Sequence, residues 1–234
     1  MRTVVLDGLK LVFSVGRLHA AMILAVALCA AGVTCASASV VTVTTPLDST
    51  SVASSESNFG DLVADAILAS APNADFAICP AAEINPTTIA SGKVDTNTIV
   101  AALRAQSDPG DTVEVITLTG AQVRDAIAHA LSRAPIGFQG FLQVSGLTIR
   151  FDLSKHDAGR VVSITDKTGR PLDPRSTYRV AVSHYLADGA LGYFEIWSNA
   201  AVSDTGVTLT DAVVDFAVKH QPIDYHVEGR ASKS

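Results

Sequence analysis

The side chains able to do chemistry are few and scattered along this chain. Past residue 38 the histidines are His129, His156, His184, His220 and His226, and no two stand at a metal-ligand spacing with a carboxylate. His156-Asp157 falls in a polar Lys/Asp/Gly stretch and reads as solvated, while His129 reads as a surface residue on a helix. Ser145 and Ser183 are the conceivable nucleophiles, with His184 as the base. Their settings are Gln143-Val144-Ser145-Gly146-Leu147 and Ala181-Val182-Ser183-His184-Tyr185, so the Gly-x-Ser-x-Gly elbow is absent. An independent hydrolase is not expected. His184 keeps two readings open: a donor to a ligand, or a ring that satisfies a backbone carbonyl at a strand's end.

The elements that must position these residues are legible from pattern. Ser57 or Asn58 can cap a helix on which Phe59, Leu62, Val63, Ala66 and Ile67 recur at helical spacing. Asp75 to Cys79 reads as a short apolar strand. Asp95 and Thr96 offer caps for a second helix, which Asp108-Pro109-Gly110 stops. Val113 to Leu118 alternates and is rich in β-branched residues, so it is a strand. Thr119 then caps a helix with Val123, Ile127, Ala130 and Leu131 on one face. Phe141–Phe151, Arg160–Thr165 and Tyr178–Val182 are strand candidates, with Lys167-Thr168-Gly169 as a hairpin turn between the last two. A final helix is expected over about Asp211 to Lys219, capped by Thr210. Helices mixed with adjacent strands, without regular βαβ alternation, indicate a single α+β domain with helices packed on a mixed sheet.

The apolar run from Ala20 to Val33 follows Arg2, Lys10 and Arg17 and ends in Cys35-Ala36-Ser37-Ala38. A basic region, an apolar stretch and an Ala-x-Ala site describe a secretory signal peptide over residues 1–38, and hence export to a periplasm or outside the cell. An uncleaved membrane anchor is the alternative, for which the run is short. Lipidation would need a small residue before the cysteine, whereas Cys29 follows Leu28 and Cys35 follows Thr34. Residues 39–55, rich in Ser and Thr, read as a linker whose front part, Val40 to Val43, could pair as an edge strand. The folded domain is then 56–234, with no membrane span after leader removal. Three basic residues and Asp7 leave with the leader, so the net charge falls from −6 to −8. Such a surface repels phosphate backbones, and nucleic acid is not an expected partner. Cys79 alone remains, so no internal disulfide can form and the core must hold the fold.

Five pieces in order carry a resemblance: Glu56 to Ala66, Asp75 to Ile78, Leu118-Thr119-Gly120, Phe141 to Leu147, and Tyr178 to Tyr193. Together they resemble the C-terminal, substrate-recognition domain of secreted 5'-nucleotidases, from Ser57 to about Tyr225. The resemblance implies a domain that holds a base between two aromatic rings, and here Phe141 and Tyr193 stand at those ring positions. Each base–ring contact of that kind contributes about 1–3 kcal/mol. Ordinary core aromatics are the alternative reading of both residues.

The polar half of the family pattern does not carry over. The family's Asn-x-Gly-Gly-Ile-Arg turn reads Pro80-Ala81-Ala82-Glu83-Ile84-Asn85. Glycines that let backbone approach a ligand are replaced by residues with β-carbons. Asn85 stands where an arginine would offer its fork of donors to phosphate, and Glu83 adds a negative charge. Other arginine positions look like Ala53 and Asp61, and Gly-Gly-Asp-Gly-Tyr has become Gly189-Ala190-Leu191-Gly192-Tyr193. The family's hydrolysis belongs to a separate metallophosphatase domain with two metal ions. Its Gly-Asn-His-Asp/Glu and Gly-His-x-His signatures do not occur here.

The resemblance therefore implies an exported ligand-recognition module without intrinsic catalysis, binding a nucleoside-like ligand at Phe141 and Tyr193, tuned by Asn85 and His184. A 5'-monophosphate held in the family's manner is not expected. No cofactor is expected in this chain, and divalent metals enter only if a separate metallophosphatase chain supplies them. Two alternatives stay open: a subunit or remnant of a nucleotide hydrolase acting with such a chain, and a degenerate scaffold or interaction domain.

Overall fold

The computed structural model describes residues 39–104, 110–134 and 136–234, together with a short antiparallel pair, Val5–Leu6 with Leu9–Lys10. The expected leader otherwise lies outside the described residues. Residues 1–38 and 39–234 are separate units.

The unit 39–234 is built on a five-stranded mixed sheet. In chain order its elements are β1 (Val40–Val43), β2 (Leu47–Asp48), α1 (Asn58–Ser70), β3 (Phe76–Pro80), β4 (Thr88–Ile89), β5 (Gly92–Asp95) and α2 (Thr96–Ala101). These are followed by β6 (Thr112–Thr119), α3 (Gly120–Ala130), β7 (Leu142–Ser145), β8 (Leu147–Phe151), β9 (Val161–Asp166) and β10 (Thr177–Ser183). The chain ends with α4 (His184–Ala187), α5 (Phe194–Trp197), β11 (Val202–Thr208), α6 (Leu209–Lys219) and β12 (Ala231–Lys233). The main sheet has the order β11-β6-β10-β3-β7, in which β10 and β3 run parallel and every other pair antiparallel. A second sheet has the order β9-β8-β12. Helices and mixed sheet together give the α+β class expected from pattern.

Burial explains why these strands tolerate so few polar residues. All of β3 and β7, and Val180 to Ser183 of β10, are buried on both alternations, so this part of the sheet is covered on both faces. α1 contributes Phe59, Leu62, Val63 and Ile67 to this core. Its start is fixed by Ser57, whose Oγ accepts the Gly60 N–H at 3.1 Å, a cap that stabilises by about 1 kcal/mol. Thr119 and Gln122 form a reciprocal capping box at the head of α3. Cys79 is buried as a free thiol.

Several expectations are corrected. The 39–55 segment is no linker: β1 pairs with β5, β2 pairs with β4, and Val41, Val43, Leu47 and Val52 enter the core. Gln143 ties it down from within the sheet, donating to Val52 O at 3.0 Å and Ser55 O at 2.9 Å while accepting the Ser57 N–H. A β-carbon at Gly60 would occupy the space of this amide, so the glycine is a packing requirement. The expected strand 141–151 breaks in two at Gly146, whose φ of +78° sends β7 and β8 into different sheets. The 167–169 turn does not join β9 to β10, which lie in different sheets; it folds back locally on Arg170 and Pro171. The last helix starts at Leu209 and is capped by Thr208 rather than Thr210.

The C-terminal residues form a strap across the start of α1. Tyr225 donates to Asp65, and Glu56 accepts the backbone N–H groups of Glu228, Gly229 and Ala231. Arg230 binds Asp65 with both terminal nitrogens, at 2.6 and 3.0 Å, and donates to Val144 O. Asp61 is fully buried beneath it, with Arg230 Nε 3.7 Å away. Burial pushes the Asp61 carboxyl up to about 8; Arg230 opposes this, and the charges of Glu56 and Asp65 add to it.

Candidate functional site at one end of the sheet

The register brings the sequence-predicted residues to one end of the main sheet. Parallel strands β3 and β10 finish there, at Pro80 and Ser183, while antiparallel β6 and β7 begin there, opposite them at Val113 and Leu142. The turn Ala81–Glu83 follows β3, α4 follows β10, and Phe141 precedes β7. Ala81 N–H donates to Phe141 O at 2.8 Å, and Ala82 N–H to Gln139 O at 2.8 Å, so the turn and the ring segment are one backbone unit.

A buried polar network closes this end. Ser183 Oγ donates to Glu83 Oε1 at 2.7 Å and accepts the Leu186 N–H at 3.3 Å, which caps α4. Burial and the neighbouring Asp111 charge push the Glu83 carboxyl up to about 7, while Ser183 and Arg104 pull the other way. His184 Nδ1 lies 2.8 Å from Glu114 Oε1, and its Nε2 lies 3.5 Å from Asp188. The Glu114 hydrogen bond raises the imidazole pKa against a smaller desolvation effect. Ser183 thus spends its proton on Glu83 and His184 spends its ring on carboxylates, so the two do not form a nucleophile–base pair.

Asn85 is occupied locally. Its amide donates to Ala101 O at 3.1 Å and Leu103 O at 3.3 Å, and its Oδ1 accepts from Arg104 Nε at 3.1 Å. Arg104 is the residue that sequence reasoning misses: it sits beside the turn from which the resemblance subtracts an arginine, and its N–H binds Glu83 O at 2.8 Å. No periodicity or motif marks it, because a contact nineteen residues apart places it there.

The two rings are not an open slot, which corrects the expectation for Phe141 and Tyr193. Both are buried, at 1% and 0% exposure. Tyr193 stacks on Trp197 (4.8 Å between centroids, 15° between planes) and receives His129 edge-on at 4.7 Å. The cause is local: Trp197 lies four residues on, one turn of helix from Tyr193. The phenol, once buried, needs an acceptor and finds Gly140 O at 2.6 Å. His129 is no surface histidine, since its Nε2 carries the proton that Leu191 O accepts at 2.8 Å. Leu191 has a φ of +61°, a left-handed conformation that leucine adopts only under constraint.

The balance of charge at this end is negative. Glu83, Asp111, Glu114 and Asp188 face Arg104 and a half-exposed His184. Among the described residues no group of three His, Cys, Asp or Glu side chains is placed to hold a metal ion. The chain's Asp-x-His, Asp224-Tyr225-His226, lies apart from this end on the exposed strap, where its two outer side chains contact each other and Thr45.

Comparison with known proteins gives the family. The model for the 5'-nucleotidase C-terminal domain matches residues 35–197, so the chain belongs to that family. An apyrase of Aedes aegypti is 32% identical over 196 residues, covering 79% of this chain and 34% of that protein. A snake venom 5'-nucleotidase of Macrovipera lebetinus is 28% identical over 130 residues, or 53% of this chain and 32% of that one. The solved 5'-nucleotidase precursor of Thermus thermophilus superposes with a TM-score of 0.76 at 26% identity, covering 93% of this chain and 43% of that one. This chain spans less than half the length of the relatives it matches. Among the described residues no helix is long and apolar enough to cross a membrane.

Proposed function

We propose that this chain is an exported recognition domain of the 5'-nucleotidase type, with no hydrolytic chemistry of its own, and that it takes a neutral, nucleoside-like ligand rather than a 5'-monophosphate. The observation that carries this reading is the Ser183–Glu83 pair in the turn after β3. A carboxyl whose pKa is pushed to about 7 exchanges between acceptor and donor near neutrality, which matches the adjacent donors and acceptors on a base edge. The same carboxyl, with Asp111 beside it, repels a phosphate dianion.

Glu83→Gln and Ser183→Ala are the testing substitutions, read by calorimetric titration of the chain with adenosine. Each should weaken adenosine binding at least several-fold while thermal unfolding stays cooperative. Unchanged affinity in both variants would remove the reading.

A second reading rests on the greater length of the relatives. A separate metallophosphatase domain would bring the two metal ions, and the exposed Ile136, Tyr185 and Phe194 would contribute to its contact. Recovery of nucleotide hydrolysis on mixing the two chains with Mn²⁺ is the expected outcome of that arrangement. Mixed chains no more active than the phosphatase domain alone would dismiss it.

A further inference from the structure

A cleft of about 390 Å³ opens on the sheet at a distance from Ser183 and His184. This volume falls within the range of small-molecule sites. Its floor is one face of three strands. The register sets Arg179 of β10 opposite Thr117 of β6, and Val115 of β6 opposite Ser203 of β11, so alternation puts all four side chains on the same side. Its wall is the segment 70–73, where α1 ends. Arg179 lies four residues before Ser183, roughly 13 Å along the strand.

The chemistry of this cleft is set by one positive charge. The Arg179 backbone is fixed by Asp75, whose carboxylate accepts its N–H at 2.7 Å and whose N–H donates to its carbonyl at 2.7 Å. Its guanidinium, exposed, has no ion pair among the described residues. Asp204 touches the margin, but alternation turns its side chain to the opposite face, across from Glu114, where it accepts the Gly206 N–H at 2.8 Å. Thr117 is exposed directly opposite Arg179, Ser203 is exposed across the cleft beside Val115, and Val115 with Ala71-Pro72 supplies an apolar surface.

We propose that this cleft binds a small organic monocarboxylate. The guanidinium fork pairs with the carboxylate through two parallel hydrogen bonds, the Thr117 hydroxyl opposite it donates to the same oxygens, and a short apolar tail lies on Val115 and Pro72 with Ser203 at its far side. The C-terminal end of α1 turns partial negative charge toward the cleft. With a single arginine against it, a dianion such as phosphate is disfavoured. The site is independent of the ligand proposed at Ser183.

The test is amide-resolved NMR titration of the whole chain with sodium valerate and, separately, inorganic phosphate. Saturable valerate shifts are expected at Asn73, Thr117, Arg179 and Ser203, with a dissociation constant on the order of millimolar for so few atoms. Arg179→Gln should weaken this at least tenfold, and Thr117→Val by a smaller factor, with melting temperatures unchanged because both positions are exposed. Shifts that grow linearly with valerate, equal affinity in Arg179→Gln, or tighter binding of phosphate would each overturn the proposal.

Discussion

Asp61→Asn should make this protein more stable at neutral pH, and the gain should vanish in acid. Asp61 is fully buried, and its carboxyl is held at about 8 against an ordinary value of 3.8. Between those two pH values the unfolded chain has lost the proton while the folded chain keeps it. Stability from this group is therefore fully present below about pH 4, falls as pH rises toward 8, and is flat above. Each pH unit in that window is about 1.4 kcal/mol at most, so the full loss is bounded at roughly 6 kcal/mol. Rearrangement of Arg230, which also holds Asp65 and Glu228, reduces it to around half, about 2–3 kcal/mol. Asparagine keeps the shape and removes the titration. Urea unfolding of both proteins at pH 4 and pH 8 reads the effect directly. The expected result is near-equality at pH 4 and a gain of about 2–3 kcal/mol at pH 8, or some 4–12 °C in melting temperature for a chain of this size. A variant that is less stable at pH 8, or a gain equal at both pH values, would refute the reasoning.

Three further outcomes rest on the same geometry. Tyr193→Phe leaves Gly140 O buried without its donor and should lose about 1–2 kcal/mol in urea unfolding, with aromatic packing on Trp197 retained. Gly146→Ala places a β-carbon 3.1 Å from that of Phe76 at a φ of +78°, so a loss of about 2 kcal/mol or more is expected from thermal unfolding. Glu114→Gln removes the leading cause of the raised His184 pKa, so an NMR titration should show the imidazole losing its proton at lower pH. Because a raised histidine pKa stabilises the fold at low pH and the effect fades as pH rises, that variant should also lose its share of stability on the acid side.

Local chemistry makes most of the scaffold legible. Ser57, Asp95 and Thr119 are caps whose helices start where the residue types require, and Val113–Leu118 alternates as a strand must. In the 39–55 segment the strand at Val40–Val43 is legible, but the packing of the rest is not, because Ser and Thr read as linker composition and the burial depends on Gln143, eighty-six residues beyond Ser57. The break at Gly146 and the destination of the 167–169 turn are hidden for a related reason. A period-2 pattern does not say which sheet a strand joins, and a positive φ at glycine is decided by the sheet behind it.

The site is legible in its members and not in its state. Asn85, Phe141, Ser183, His184 and Tyr193 stand out as types, and topology brings them to one end of the sheet. Sequence does not show that Asn85 is absorbed by Ala101 and Leu103, or that Trp197 and His129 seal Tyr193. Arg104 is invisible for want of any motif. These facts belong to side-chain packing, which follows the fold and cannot be read ahead of it.

The central claim is that the domain keeps a nucleoside-type recognition end while rejecting the phosphate. The most direct measurement is the calorimetric affinity of the chain for adenosine beside that for AMP, in the same buffer at pH 8, where Glu83 is mostly ionised. Saturable adenosine binding with AMP at least several-fold weaker is the expected result. AMP binding tighter than adenosine, or no heat from either ligand, would contradict it.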